Sequence, residues 1–170
     1  MEISFKKKMS SIKFIAFDVD GVLTDGSLLL IGDEQVRTMN IKDGFAIGEA
    51  IRKGLLIVII SGGAPSNGVR KRLEHLGVQE IHLGVKDKKS LLFDLMKKYG
   101  IDKDQIAYMG DDLPDYEVLE LAGLKCCPSD AVAQIKEKCD FISSYTGGGG
   151  CVRDLLEQIM RLQGSWPFSA

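Results

Sequence analysis

Asp18 and Asp20 stand two residues apart, directly after an apolar run at Ile12 to Phe17 that reads as a buried strand. A spacing of two puts both carboxylates on one side of an extended backbone. Two acids at a strand end repel one another and call for a cation or a proton between them. Asp pairs in turns are common, so this pair alone carries little. A second acidic group strengthens it: Gly110, Asp111, Asp112 and Asp115 follow the apolar stretch Ile106 to Met109. Three or four carboxylates at one sheet edge make an oxygen-rich site without imidazole, which suits Mg²⁺. Ser61 ends the run Leu55 to Ile60, where its hydroxyl and the N–H groups of Gly62 and Gly63 can hold a phosphate oxygen. Lys88 opens a helical segment. A lysine there is commonly a solvated charge, but it also adds a cation beside a helix N-terminus, itself an anion site.

Those residues need a sheet to bring them together, and the hydrophobic pattern supplies one. Leu55 to Ile60 is the clearest buried strand, with shorter candidates at Leu124 to Cys127 and Phe141-Ile142. Continuous apolar strands point to a parallel sheet covered on both faces. Helical spacing joins Phe45, Ile47, Ala50 and Ile51, then Val69, Leu73 and Leu76 behind a Ser66 cap, then Leu91, Leu92, Leu95, Met96 and Tyr99. Val118, Leu119 and Leu121 mark another helical segment, and Val152, Leu155, Leu156, Ile159 and Leu162 the last. The alternation predicts an α/β fold with a doubly wound parallel sheet and sites at the carboxyl ends of its strands.

One segment, about 27–40, breaks the alternation. Leu28 to Ile31 and Gln35 to Met39 flank Gly32-Asp33-Glu34 and read as a β-hairpin inserted after the first strand. No interval is long enough for a second domain, so residues 1–170 are read as one domain without a cap domain. Residues 163–170 are expected to be loosely held, and Gly147 to Gly150 to form a mobile flap, since no P-loop or dinucleotide spacing follows.

The composition is that of a soluble globular protein and not a disordered one. Of 170 residues 45% are hydrophobic and 27% charged, and 22 Lys and Arg against 24 Asp and Glu give a net charge of -2. No basic excess calls for a nucleic-acid or anionic-membrane partner. No apolar run approaches a bilayer span, and no signal peptide is read. The four cysteines, Cys126, Cys127, Cys139 and Cys151, form no C-x-x-C pair, and the two histidines, His75 and His82, read as ordinary helix and strand residues. That argues against zinc and for reduced thiols in a cytoplasmic protein. Cys126 and Cys127 are expected as core and surface residues of a strand.

Asp18-x-Asp20-x-x-x-Thr24, Ser61, Lys88 and Gly110-Asp111-Asp112-x-x-Asp115 resemble, in order and spacing, the four motifs of the haloacid dehalogenase superfamily. With Asn40-Ile41-Lys42-Asp43-Gly44 and Gly147-Gly-Gly-Gly-Cys-Val-Arg153, the chain resembles the capless branch that contains the 3-deoxy-D-manno-octulosonate 8-phosphate phosphatases. The resemblance covers nearly the whole chain. It implies a Rossmann-like fold, Mg²⁺, a homotetramer in which a neighbouring subunit closes each active site, and a step in lipopolysaccharide synthesis. It implies Asp18 as nucleophile, Asp20 as acid and base, Ser61 and Lys88 as stabilisers of the transferring group, and Mg²⁺ on Asp18, the Asp20 carbonyl and Asp111. Asp112 and Asp115 stand behind these, with Asp115 open to a second reading as a helix N-cap. Asp20, Asn40, Ile41, Lys42, Asp43, Gly44, Arg72 and Lys88 are the implied substrate contacts. Thr24 and Asp25 either bind substrate or hold a turn.

Gly63 and Gly48 stand where the octulosonate enzymes often carry Arg, Lys42 stands where they often carry Arg, and the loop from Ser61 to Val69 is one residue longer. A related branch acting on 2-keto-3-deoxynononate 9-phosphate or N-acylneuraminate 9-phosphate therefore stays open. Two readings of another class are a receiver domain, which lacks the second Asp at +2, and a non-catalytic oligomerisation module of the same fold, which predicts loss of Asp18 or Asp20.

Overall fold

A computed structural model describes residues 5–168. Six strands form one parallel sheet in the order β5-β4-β1-β6-β7-β8: β1 (Phe14–Phe17), β4 (Leu56–Ser61), β5 (Glu80–Leu83), β6 (Ile106–Met109), β7 (Leu124–Cys127) and β8 (Phe141–Ile142). Both faces are covered, which is why the central strands read as unbroken apolar runs. Ile15, Phe17, Ile57, Ile59, Ala107 and Met109 face one core with α2 (Ile41–Arg52) and α6 (Cys151–Leu162). Phe14, Ala16, Val58, Ile60, Ile106 and Tyr108 face the other with α4 (Lys88–Tyr99). Each large apolar side chain so buried contributes about 1.5–3 kcal/mol.

The register places the site. Phe17 lies opposite Ile59 of β4 and Met109 of β6. The strand-end residues Asp18, Ser61 and Gly110-Asp111 therefore lie side by side where the chain order reverses, the place where open α/β sheets bind ligands.

The hairpin forms, shorter than read, as a separate two-stranded sheet of β2 (Leu29–Ile31) and β3 (Glu34–Val36), with Glu34 in the strand and not the turn. Leu29 pairs with Val36 and Ile31 with Glu34. No cap domain is present among the described residues. Leu28, Leu29, Leu30 and Ile31 are all exposed, Leu30 to 68%.

Several details depart from the sequence reading. The segment at Val118–Leu121 is a 3₁₀ turn, too short for an α-helix before Gly123. Short helices α1 (Phe5–Met9) and α5 (Ala133–Lys136) carry too few apolar positions to show a period. α3 (Asn67–His75) is capped by Ser66, as expected. Cys127 is buried beside Cys126 and does not face solvent, because α5 covers that end of β7. Of the tail expected to be loose, Gln163 donates to the Met9 and Ile12 carbonyls and Trp166 is buried edge-on to Phe45, with the Arg153 guanidinium 4.6 Å from its ring centre, while Phe168 is exposed. Ser169 and Ala170 lie outside the described residues.

Candidate active site

Asp18 continues β1, its N–H donating to the Met109 carbonyl at 3.1 Å. Its Oδ1 accepts the Val19 N–H at 2.7 Å, and its Oδ2 lies 2.9 Å from Lys88 Nζ. The chain then turns tightly through 19–23, closed by a bond from the Thr24 N–H to the Val19 carbonyl. Gly21 makes this turn possible twice over. Its φ is +86°, and a Cβ there would lie 2.0 Å from Asp111 Oδ2. Thr24 is fully buried and its Oγ1 accepts the Gly21 and Gly26 N–H groups, so it holds the turn.

Of the two readings of Asp115, the structure does not show the second. It is not an N-cap. Asp112 fills that role, accepting the Leu113 N–H while staying exposed. Asp115 is fully buried and fully occupied: Oδ1 accepts Lys88 Nζ at 2.7 Å and the Tyr108 hydroxyl at 2.6 Å, and Oδ2 accepts the Asp111 N–H at 3.2 Å. It thus anchors both Lys88 and the backbone that presents Asp111. Tyr108, the one polar-tipped residue of β6, was missed; a tyrosine in an otherwise aliphatic buried strand was the available signal, since its hydroxyl needs a partner.

Asp18, Asp111 and Asp115 offer oxygens that all lie within 4.8 Å of one another. Burial, then the Asp115 charge, pushes the Asp18 carboxyl well up, against the opposing pull of Lys88. Burial, followed by the charges of Asp115, Asp18 and Asp112, pushes Asp111 up to about 7. The Asp111 carboxylate has no hydrogen-bond partner among the described residues. A hard divalent cation fits this group: the donors are all oxygen, one is uncommitted, and their mutual repulsion is what a cation relieves.

Ser61 ends β4, buried, with its Oγ accepting the Gly63 N–H at 3.2 Å. The Asp20 carboxylate is gripped by a residue the sequence reading passed over. Arg37, just past β3, donates from Nε to Oδ1 at 2.6 Å and from Nη2 to Oδ2 at 3.0 Å. Nothing in the sequence marked it, because one basic residue in an exposed hairpin has no pattern.

The expected substrate contacts divide. Arg72 on α3 lies across the backbone of Gly44, where a Cβ would sit 2.7 Å from Nη2. It lines a cleft of about 730 Å³ together with Arg37 and Met39 of the hairpin and Ser66 of the β4–α3 loop. Lys42 lines a different cavity, with Tyr145 and Arg153, so the structure does not pair it with Arg72. Asn40 caps α2 through the Lys42 N–H and donates to the Gly148 carbonyl. Ile41 is exposed. Asp43 is buried and accepts the Arg153 N–H at 2.7 Å, capping α6; burial raises its carboxyl to about 6. Gly147 to Gly150, read as a flap, is tied down: the Gly148 N–H donates to the Val22 carbonyl and the Gly147 N–H to Asp130.

A carboxylate-lined switch point on a doubly wound sheet suits phosphoryl-transfer chemistry. Residues 75–153 match the family model of haloacid dehalogenase-like hydrolases. The chain is 34% identical over 160 residues to the 3-deoxy-D-manno-octulosonate 8-phosphate phosphatase KdsC of Haemophilus influenzae, covering 94% of this chain and 88% of that one. It is 33% identical to the Escherichia coli K12 protein of the same name, covering 92% and 84%. Among solved structures, the Moraxella catarrhalis 3-deoxy-D-manno-octulosonate 8-phosphate phosphatase, a complex with magnesium, phosphate and KDO, superposes with a TM-score of 0.91 at 33% identity over 96% and 94% of the two chains. The cobalt-bound Haemophilus influenzae enzyme does so at 0.88 and 34% identity, over 92% of each. The chain belongs to the haloacid dehalogenase-like hydrolases, and within them it is a phosphomonoester hydrolase.

Proposed function

We propose that the chain hydrolyses a phosphorylated 2-keto-3-deoxy sugar acid, foremost 3-deoxy-D-manno-octulosonate 8-phosphate, to the free sugar acid and phosphate. The observation that carries the chemistry is the group of Asp18, Ser61 and Asp111 at the ends of three adjacent strands, joined by Lys88 from the start of α4, with Asp20 two residues beyond Asp18. The substrate class rests on the relatives' specificity and on Arg72 in the cleft beside the site. Asp18 and Asp20 are both present, which speaks against a non-catalytic module.

Asp18 attacks phosphorus in line. As the Asp18–phosphorus bond forms, the bond to the sugar oxygen breaks and Asp20 gives that oxygen its proton. Water then attacks the aspartyl-phosphate, Asp20 takes the water proton, and phosphate leaves Asp18. Lys88 holds Asp18 by its Oδ2 and, with Ser61, faces the charge on the transferring group. Asp18, the Asp20 carbonyl and Asp111 are the residues that would hold Mg²⁺. The ion supplies charge neutralisation between the nucleophile and the phosphate. Asp112 and Asp115 hold the loop and Lys88.

Cation binding should depend on pH in a defined direction. Asp111 keeps its proton to about 7 in the fold but loses it near 4 when unfolded, so without metal it removes stability as pH rises between those values. A cation takes the ionised form. MgCl₂ is expected to raise the melting temperature clearly at about pH 8 and little at about pH 5. An equal rise at both, or none at either, would contradict the assignment.

A panel of octulosonate 8-phosphate, nononate 9-phosphate, N-acylneuraminate 9-phosphate and a hexose 6-phosphate tests the substrate. The octulosonate is expected to have the highest kcat/KM; a charge-assisted pair to the carboxylate is worth about 1.5–3 kcal/mol, or roughly tenfold or more over the hexose. Preference for the nononate or neuraminate would move the protein to the sister branch, and equal use of the hexose would remove the sugar-acid reading.

The same reading makes the enzyme a cytoplasmic homotetramer acting in lipopolysaccharide synthesis. The exposed run Leu28 to Ile31 is apolar surface that a second copy would cover. Light scattering should give a tetramer, and Leu30→Asp with Leu29→Asp should shift it to smaller species. A fully active monomer would refute the assembly.

A further inference from the structure

The Arg37–Asp20 pair goes beyond an ordinary surface ion pair. The Arg37 side chain is only 4% exposed, whereas Asp20 keeps 30%. The guanidinium is therefore packed into the protein while the carboxylate it holds still opens to the cleft. Two parallel N–H bonds fix both the position and the plane of a carboxylate, which a single donor cannot do. Among the described residues the Asp20 carboxylate has no other hydrogen-bond partner, so its aim depends on Arg37. The opposite wall is shaped for the same purpose. A Cβ on Gly63 would lie 2.5 Å from Asp20 Oδ2 and 3.2 Å from Arg37 Nη2. Two segments far apart in sequence, the exit of the hairpin and the exit of β4, thus meet around one carboxylate. One contributes a fork and the other leaves out a side chain.

We propose that Arg37 is the positioning residue for Asp20, and that Gly63 is the space in which the pair forms. This rests on the reading of Asp20 as the acid that protonates the leaving oxygen; the fork takes one lone-pair direction on each Asp20 oxygen, and the proton sits on another. Proton transfer requires the acid within hydrogen-bond reach of that oxygen, and a misplacement of about 1 Å costs on the order of a hundredfold. The consequence is selective. A sugar alkoxide is a poor leaving group and needs the proton, whereas p-nitrophenolate departs without it. The hairpin therefore does more than project from the surface: it carries the residue that aims the acid.

The test is kcat/KM, which reports events up to formation of the aspartyl-phosphate, measured for p-nitrophenyl phosphate and for the best alkyl phosphate of the panel. Arg37→Ala is expected to lower the alkyl value about 30-fold or more and the aryl value at most about threefold. Gly63→Ala, which crowds Asp20 from the other side, should give the same split and carries the test if Arg37→Ala melts below the assay temperature. Arg37→Lys keeps the charge but not the fork and should keep the split. Equal losses on both substrates, no loss on either, or full recovery with Lys would overturn the proposal. Asp20→Asn separates the layers. If it shows no split, the acid assignment itself fails. If it shows one that the Arg37 and Gly63 variants lack, only the positioning role fails.

Discussion

Asp18→Asn is expected to reduce turnover of every phosphate ester by at least about a thousandfold, because on the proposed mechanism it removes the nucleophile and not a helper. The same substitution should leave the melting temperature unchanged or slightly higher. Asp18 is 8% exposed, and its carboxyl is pushed up by burial and by Asp115, so as an anion it is held at a cost. An amide of the same shape keeps an acceptor for the Val19 N–H and removes a charge from a crowded group. Lys88 loses one partner but retains Asp115 at 2.7 Å. Loss of activity without loss of fold distinguishes a reacting group from a structural one. The measurements are kcat on the panel and on p-nitrophenyl phosphate, together with thermal melting. Activity within tenfold of the parent would sink the covalent mechanism, and a large fall in melting temperature would mean that the variant reports on folding.

The parts of the site that stood out in the sequence were those fixed by strand ends. Asp18, Ser61 and Asp111 each follow an apolar run, and a parallel sheet has few ways to arrange such runs, so their convergence could be argued before any geometry. The interior of the acidic motif could not. Asp112 and Asp115 have the same side chain three residues apart, and only the turn between them decides that the first caps a backbone N–H while the second points into the core. Arg37 was beyond reach for another reason: its partner, Asp20, lies across a hairpin whose tilt depends on packing, not on pattern. The stretch from Asn40 to Gly44, which the family resemblance implied as substrate contacts, does not present one surface. A helix turns about 100° per residue, so Lys42, Asp43 and Gly44 face a separate cavity, the α6 N-terminus and Arg72 respectively.

Lys88→Met should be the most damaging substitution in the protein, acting on fold and activity together. Lys88 opens α4 with its side chain 4% exposed, and Nζ sits between Asp18 Oδ2 and Asp115 Oδ1. Burial alone would lower its basicity, but the two carboxylates outweigh that and hold it above the ordinary lysine value, so it stays charged throughout the neutral range. Its removal leaves Asp115 fully buried without a cation, its Oδ1 still accepting the Tyr108 hydroxyl. Breaking a buried pair from one side costs about 3–5 kcal/mol, a large share of the roughly 5–15 kcal/mol by which a domain is stable. Adding Asp115→Asn removes an anion along with the cation and should recover part of that stability, since an amide can still accept from Tyr108. Turnover should not recover, because the cation facing the transferring phosphate and holding Asp18 is gone in both variants. Chemical denaturation of the single and double variants, read beside kcat, decides between the two roles. A double variant that regains activity with stability would make Lys88 a structural counterion only, and a single variant as stable as the parent would remove the buried-pair argument.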